Sequence, residues 1–232
     1  MCCCYILIAL VAYLIGSVNF SIIFSKKMAG FDIREKGSGN AGSTNMLRSV
    51  GKKAAALTLL CDILKGVIAI GISIMIGKFN IGVNQELLLQ IAGIFVILGH
   101  TFPVFFGFKG GKGVATSLGV LLLTNWKIGL ICLLFALLLM TLTRMVSLGS
   151  CSAALLFPVL TLFINDSYTV LTSGKNGNVY FIYSVILAVI VLFNHRTNIK
   201  RIINGTENKL SFKKKEVTAE TTKENNENTE EK

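Results

Sequence analysis

The chain has 232 residues, of which 53% are hydrophobic and only 15% charged, and its mean hydropathy is +0.66. An apolar excess of this size excludes an ordinary soluble domain and makes a lipid bilayer the expected solvent. The net charge of +11 would point to nucleic acid in a soluble protein, but in a membrane protein basic residues first report orientation, and no nucleic-acid partner is expected.

Crossing a hydrocarbon core of about 30 Å takes roughly 20 apolar residues in a helix. Runs that meet or approach this length lie at about 3–24, 54–77, 87–106, 114–124, 128–142, 148–165 and 179–194. The fourth is short enough for a half-span or a strongly tilted helix. The sequence therefore predicts an all-α integral membrane protein of about seven transmembrane helices over residues 1–210. From Lys213 the chain is polar and charged, so a disordered cytoplasmic tail is expected over 211–232.

The first run, Cys2 to Phe24, has neither the basic start nor the small-residue cleavage site of a secretory signal, so it reads as the first span. The six cysteines sit in or beside apolar stretches without ligand spacing and read as small apolar filler; no metal and no cofactor are expected. Asp62 and Lys65 fall inside the second run, three residues apart and so on one helical face. Charge there is costly unless paired, and they read as a structural pair that props the cytoplasmic loops, direct substrate contact being the alternative.

An odd number of spans puts the termini on opposite faces. Loops after the first, third, fifth and seventh spans carry nineteen Lys and Arg residues, and the other face carries only Lys78, Lys127 and Lys175. This asymmetry predicts an outside N-terminus and a cytoplasmic C-terminus.

Three unusual polar stretches fall on that basic face. The first, residues 36–48, reads KGSGNAGSTNMLR. Its small residues permit positive φ and turn successive backbone N–H groups inward as an anion nest, and Ser38, Asn40, Asn45 and Arg48 add directed donors. Residues 37–42 spell G-x-G-x-x-G, but a membrane span precedes them where a dinucleotide site needs a strand. The second stretch, residues 99–117, contains FKGGKG around Lys109 and Lys112. It lacks the Ser or Thr that a Walker A loop places after the lysine, so the lysines read as point charges beside a helix N-terminus. The third, HRTNIKRIINGTENK, covers 195–209; His100 and His195, the two histidines of the chain, each open a basic motif at the end of a span.

Taken together, these three motifs resemble the membrane-integral acyl-phosphate:glycerol-3-phosphate acyltransferases of PlsY type. The matching residues are Ser38, Gly39, Asn40, Thr44, Asn45 and Arg48, then Gly99, His100, Phe102, Pro103, Lys109, Gly110, Gly111, Lys112 and Gly113, then His195, Arg196, Asn198, Ile199, Arg201, Gly205, Thr206 and Glu207. Ser43 and Ile202 depart from the pattern where alanine and leucine are expected. The resemblance runs from the first span to Glu207 and leaves the tail aside.

The resemblance implies transfer of a fatty acyl group from acyl phosphate to glycerol-3-phosphate, in phospholipid biosynthesis, at the cytoplasmic side of a multi-pass protein of the bacterial cell membrane. It implies catalytic roles for Ser38, Arg48, Lys112, His195 and Asn198. Substrate and phosphate contacts are expected from Gly37, Gly39, Asn40, Gly42, Thr44, Asn45, His100, Lys109, Gly110, Gly111, Gly113, Ser147, Arg196, Arg201, Gly205 and Glu207. Neither histidine has an aspartate five residues on, Phe105 and Lys200 standing there instead, which excludes the His-x4-Asp route of soluble-domain acyltransferases. The competing class is a membrane carrier for an organic phosphate. Carriers usually bind near the midplane, where this sequence offers only Asp62 and Lys65, and no repeat relates the two halves.

Overall fold

The structure, a computed structural model, describes residues 2–79, 82–164 and 177–210. The polar tail, Lys175 and the last residue of the sixth apolar run lie outside the described residues. Regular structure among the described residues is entirely helical. α1 (Cys2–Ser17) and α2 (Phe20–Ala29) are followed by a short 3-10 turn, α3 (Ser43–Ser49), α4 (Lys52–Phe79), α5 (Gln85–Thr101), a second 3-10 turn, α6 (Val114–Thr124), α7 (Trp126–Thr143), α8 (Val146–Phe163), α9 (Gly177–Asn194) and α10 (Arg196–Ile203).

Among the described residues, five helical stretches are long and apolar enough to cross a membrane: Cys3–Ala29, Lys52–Phe79, Gln85–Phe106, Trp126–Thr143 and Val146–Phe163. A sixth is completed if α9 and α10, bent by 65° at their junction, count as one span. The one run left over is the fourth, the 11-residue α6, shorter than a bilayer requires. Two helices were not foreseen: α3 inside the first motif and α10 inside the third.

The first span is broken at Val18 and Asn19. Asn19 caps α2 by accepting from the Ile22 N–H at 3.2 Å, and Lys65 explains the end of α1. Its ammonium donates to the carbonyls of Gly16 and Val18, each at 3.0 Å, and so satisfies acceptors that a helix end leaves open. The same ammonium pairs with Asp62 at 3.0 Å. The paired reading of these two charges therefore holds, and the pair also fastens α4 to α1.

Helices approach closely at glycines, as expected where lipid offers no hydrophobic drive to association. A Cβ on Gly16 would lie 2.1 Å from the Val96 carbonyl of α5, and one on Gly119 would lie 2.1 Å from the Ile63 carbonyl of α4. Ile8, Ala12, Leu88, Val96, Val120 and Leu187 fill the interior between these crossings, while leucines such as Leu60, Leu134 and Leu142 face outward. A smaller cluster of Ile22, Ile33, Ala41, Met46 and Ala54 seats the first polar loop against α4.

Candidate active site

The first motif is shaped by one buried side chain. The Asn45 amide nitrogen donates to the carbonyls of Ile33, Lys36 and Asn40, each at 3.0 Å, and its oxygen accepts from the Ser38 N–H at 3.0 Å. Carbonyls only accept and N–H groups only donate, so this is the one orientation of the amide compatible with all four partners, its two hydrogens being shared among three carbonyls. Gly37 has φ +60, and a Cβ there would lie 2.3 Å from Asn45 Oδ1. The loop thus closes around Asn45 and runs into α3, near whose end stands Arg48.

In the second motif the chain folds back on the end of α5. Gly110 N–H donates to Thr101 O at 3.0 Å and Gly111 N–H to His100 O at 3.1 Å. A Cβ on Gly111 would lie 2.1 Å from His100 Nε2 and 2.7 Å from the Ala41 carbonyl, so the second loop touches the first there. Gly113, at φ +86, then opens α6.

The third motif supplies the meeting point. His195 precedes α10, which carries Asn198 and Arg201 three residues apart on one face. Gly205, at φ +69, turns the chain so that Glu207 returns to that face. The Glu207 carboxylate accepts from Asn198 Nδ2, Ser147 Oγ and Arg201 Nε, each at 2.8 Å. Lys112 donates its ammonium to Asn198 Oδ1, and Arg48 donates to the Asn208 carbonyl at 3.3 Å. Arg48, Lys112, Ser147, His195, Asn198, Arg201 and Glu207, drawn from four separate stretches of chain, thus share one end of the bundle.

Residues 6–205 match the family model described as glycerol-3-phosphate acyltransferase. The chain belongs to this family. The glycerol-3-phosphate acyltransferase of Clostridioides difficile (strain 630) is 45% identical over 210 residues, covering 90% of this chain and 97% of its own. That of Thermoanaerobacter sp. (strain X514) is 45% identical over 208 residues, covering 90% and 96%. The fold is similar to the crystal structure of PlsY, an integral membrane glycerol 3-phosphate acyltransferase, in its glycerol 3-phosphate form: the TM-score is 0.75 at 34% identity, over 89% of this chain and 96% of that one. For the lysophosphatidic acid form of PlsY the TM-score is 0.73 at 32% identity, over 89% and 95%. With its apolar helices, this places the chain among multi-pass membrane proteins.

Within this acyltransferase the electrostatics of the cluster follow from burial and crowding. Three cations, Arg48, Lys112 and Arg201, lie within reach of one carboxylate. Burial brings the Lys112 ammonium down to about 8, a fall that Glu207 opposes and Arg201 and Arg48 reinforce. Burial and the Lys112 charge bring the His195 imidazole down to about 4, so it is neutral at pH 7. Its Nδ1 lies 2.8 Å from the Val191 carbonyl; a carbonyl only accepts, so Nδ1 carries the proton and Nε2 is left as an acceptor. Burial pushes the Glu207 carboxyl up, but the bonds from Arg201, Asn198 and Ser147 outweigh it and hold the group below its usual value.

The remaining candidates lie apart from these contacts. Lys109 is exposed and offers its carbonyl to Arg34 at 3.4 Å. Arg196 is exposed, stacks over the Phe193 ring at 4.6 Å and donates to the Phe193 carbonyl at 3.1 Å. His100 is buried and faces Asp62, with Nδ1 3.5 Å from Oδ1. Ser38 is exposed on the loop, Thr44 is half-buried in the first turn of α3, and Gly39, with φ +70, and Gly42 shape the path between them. An open cleft of about 660 Å³ is lined by Lys26, Arg34, Gly39, Phe105, Lys109 and neighbours; none of Arg48, Lys112, Asn198 or Glu207 lines it.

Sequence reasoning passed over Arg34. Asp32 fixes it by accepting from its Nε at 3.0 Å and from a terminal nitrogen at 2.8 Å, and Arg34 then donates to the Phe106 carbonyl at 2.6 Å. The Arg34 hydrogen bonds hold the Asp32 carboxyl at about 2. The signal was an Asp-x-Arg ahead of a short turn, a cap-and-bridge pattern. Among the described residues no group of three or more His, Cys, Asp or Glu residues is placed to hold a metal ion.

Proposed function

We propose that this protein transfers a fatty acyl group from acyl phosphate to the first hydroxyl of glycerol-3-phosphate, giving lysophosphatidic acid and inorganic phosphate for phospholipid synthesis. The observation that carries this reading is the convergence of Arg48, Lys112 and Arg201 around one buried polar network at the ends of apolar helices. Both substrates are phosphate anions and one has an apolar tail, so a cationic cluster beside lipid-facing walls suits both. Membership of the family, and a fold shared with a relative crystallised in glycerol 3-phosphate and lysophosphatidic acid forms, support the same chemistry.

Acyl phosphate is a mixed anhydride and needs no covalent enzyme intermediate. The hydroxyl oxygen bonds to the acyl carbon, the bond from that carbon to the phosphate oxygen breaks, and the hydroxyl proton must leave. A neutral imidazole with a value of about 4 is a weak base, whereas phosphate, with a second pKa of about 6, is a stronger one. We therefore assign the proton to the departing phosphate and give His195 Nε2 the task of orienting the hydroxyl, with Asn198 beside it. Arg48, Lys112 and the Ser38 hydroxyl bind the phosphates and stabilise the charge that grows on the leaving group, while the glycine-loop amides, spent on carbonyls of their own fold, shape the loops that carry them. Arg201, Ser147 and Glu207 hold this face of α10 in place.

The topology that fits is seven spans, α6 being short, with the N-terminus outside and the site and C-terminus at the cytoplasmic face of a bacterial cell membrane. The nineteen basic residues of the loops after the first, third, fifth and seventh runs support this orientation. A carrier for an organic phosphate fits less well, since the cations cluster at helix ends, and the two midplane charges are spent on each other and on α1. The deciding experiment supplies detergent-purified protein with palmitoyl phosphate and glycerol-3-phosphate. Equal release of phosphate and lysophosphatidic acid is expected; no product, with uptake of glycerol-3-phosphate into liposomes instead, would move the protein to the carrier class.

A further inference from the structure

The buried groups that the proposed reaction leaves unused include one cluster of charged and titratable side chains inside the bundle, Asp62, Lys65 and His100, only 3%, 3% and 4% exposed. Ionisable groups inside a membrane bundle are costly, and they persist where partners or function hold them. Lys65 is accounted for by its two carbonyl partners on the α1 side and by Asp62. His100 has a different set of neighbours. Its Nδ1 faces Asp62 Oδ1 at 3.5 Å, while its Nε2 edge forms the floor under Gly111, the residue before Lys112. The carbonyls of His100 and Thr101 receive the N–H groups of Gly111 and Gly110 at 3.1 and 3.0 Å. Thr101 Oγ1 also accepts from Asn194 Nδ2 at 3.2 Å, and Asn194 is the residue before His195.

We propose that Asp62 and His100 are positioning residues of the acyl transfer: the buried carboxylate sets the imidazole, which with Thr101 fixes where Lys112 and His195 stand. The proposal rests on the acyltransferase reading above. Neither residue touches substrate. Both act through the residues that precede Lys112 and His195, and misplacement of a reacting group by a fraction of an ångström is felt mainly in the chemical step.

Asparagine at position 100 places a polar N–H where Nδ1 now faces Asp62, whereas leucine keeps bulk alone. The test measures kcat, KM for glycerol-3-phosphate and thermal unfolding of the full chain in detergent, with palmitoyl phosphate as donor, for wild type, His100→Asn, His100→Leu and Thr101→Val. Expected are a kcat within about threefold of wild type for His100→Asn, a fall of at least about tenfold for His100→Leu and about threefold for Thr101→Val, with KM in every case within about twofold. A His100→Leu protein with wild-type kcat, even one that melts earlier, overturns the proposal, because bulk alone then suffices. Thr101→Val removes one hydroxyl and keeps the shape; if both variants at position 100 fail to fold, its kcat decides, and an unchanged value overturns the link to His195. An inactive wild-type protein would overturn the acyltransferase reading and this proposal with it, whereas an active wild type with unaffected variants overturns this proposal alone.

Discussion

Lys112 donates to the side-chain oxygen of Asn198, and this contact joins the second motif to the third. Lysine only donates and carboxylate only accepts, so the amide must point its oxygen at Lys112 and its nitrogen at Glu207, 2.8 Å away. A neutral side chain therefore keeps the ammonium and the carboxylate apart while holding both. The ammonium is left available to a phosphate, which a direct ion pair with Glu207 would compete for.

Asn198→Ala removes both bonds and leaves Glu207 with Arg201 and Ser147. Folding should survive, because the remaining two donors still hold the carboxylate, while Lys112 loses its alignment. We expect kcat/KM to fall about a hundredfold, equivalent to about 2.7 kcal/mol of transition-state stabilisation. Asn198→Asp should be worse than alanine, since a second carboxylate would face Glu207 and pair with Lys112. An alanine variant within about threefold of wild type would rule out this role.

The Lys112 ammonium, brought down to about 8, sets an alkaline limit. Below that pH it is charged and binds phosphate; above it the proton is lost, so kcat/KM should fall as pH rises through about 8. Arginine stays protonated throughout this range. Lys112→Arg should thus lower the rate through its changed shape and abolish the alkaline fall. A profile that falls identically in both proteins would assign the limb to another group.

His195 is expected to stay neutral from pH 5 upward, because its value is about 4, so the rate should show no acidic limb from this residue between pH 5 and 7. If the departing phosphate takes the proton, His195→Ala loses only the group that orients the hydroxyl and should cost about tenfold, mainly in kcat, against the 10²–10⁴-fold loss typical of a removed general base. A loss of about a thousandfold in kcat at unchanged KM would restore His195 as the base. Steady-state kinetics over the two pH ranges separate these outcomes.

The long apolar runs were readable because a bilayer imposes length and polarity together, and the three motifs were readable because glycines, amides and cations rarely gather at span ends by chance. The break at Val18 was not readable. It depends on Lys65, far along the chain, taking the carbonyls of Gly16 and Val18. Helices α3 and α10 are 7 and 8 residues long, too short to be stable on local propensity, and tertiary contacts hold them. Asn45 and His100 had the right chemistry for phosphate contacts, but residue type does not fix direction. Four backbone groups turn Asn45 into its own loop, and Asp62 and Gly111 bracket His100 below the surface.

Asn45 gives the sharpest test of how the first motif is built. Aspartate has the same shape and keeps the oxygen that accepts from Ser38, but it replaces the nitrogen that serves Ile33, Lys36 and Asn40 with a second acceptor. Three carbonyl oxygens would then face a buried carboxylate, so Asn45→Asp should destabilise the protein by about 3 kcal/mol or more. Activity should fall with it, because Ser38 and Arg48 are carried on either side of this clamp. Thermal unfolding in detergent at pH 7, read beside turnover, checks both effects. If Asn45→Asp melts as the wild type does while activity is lost, Asn45 is a substrate contact and the loop is held by something else.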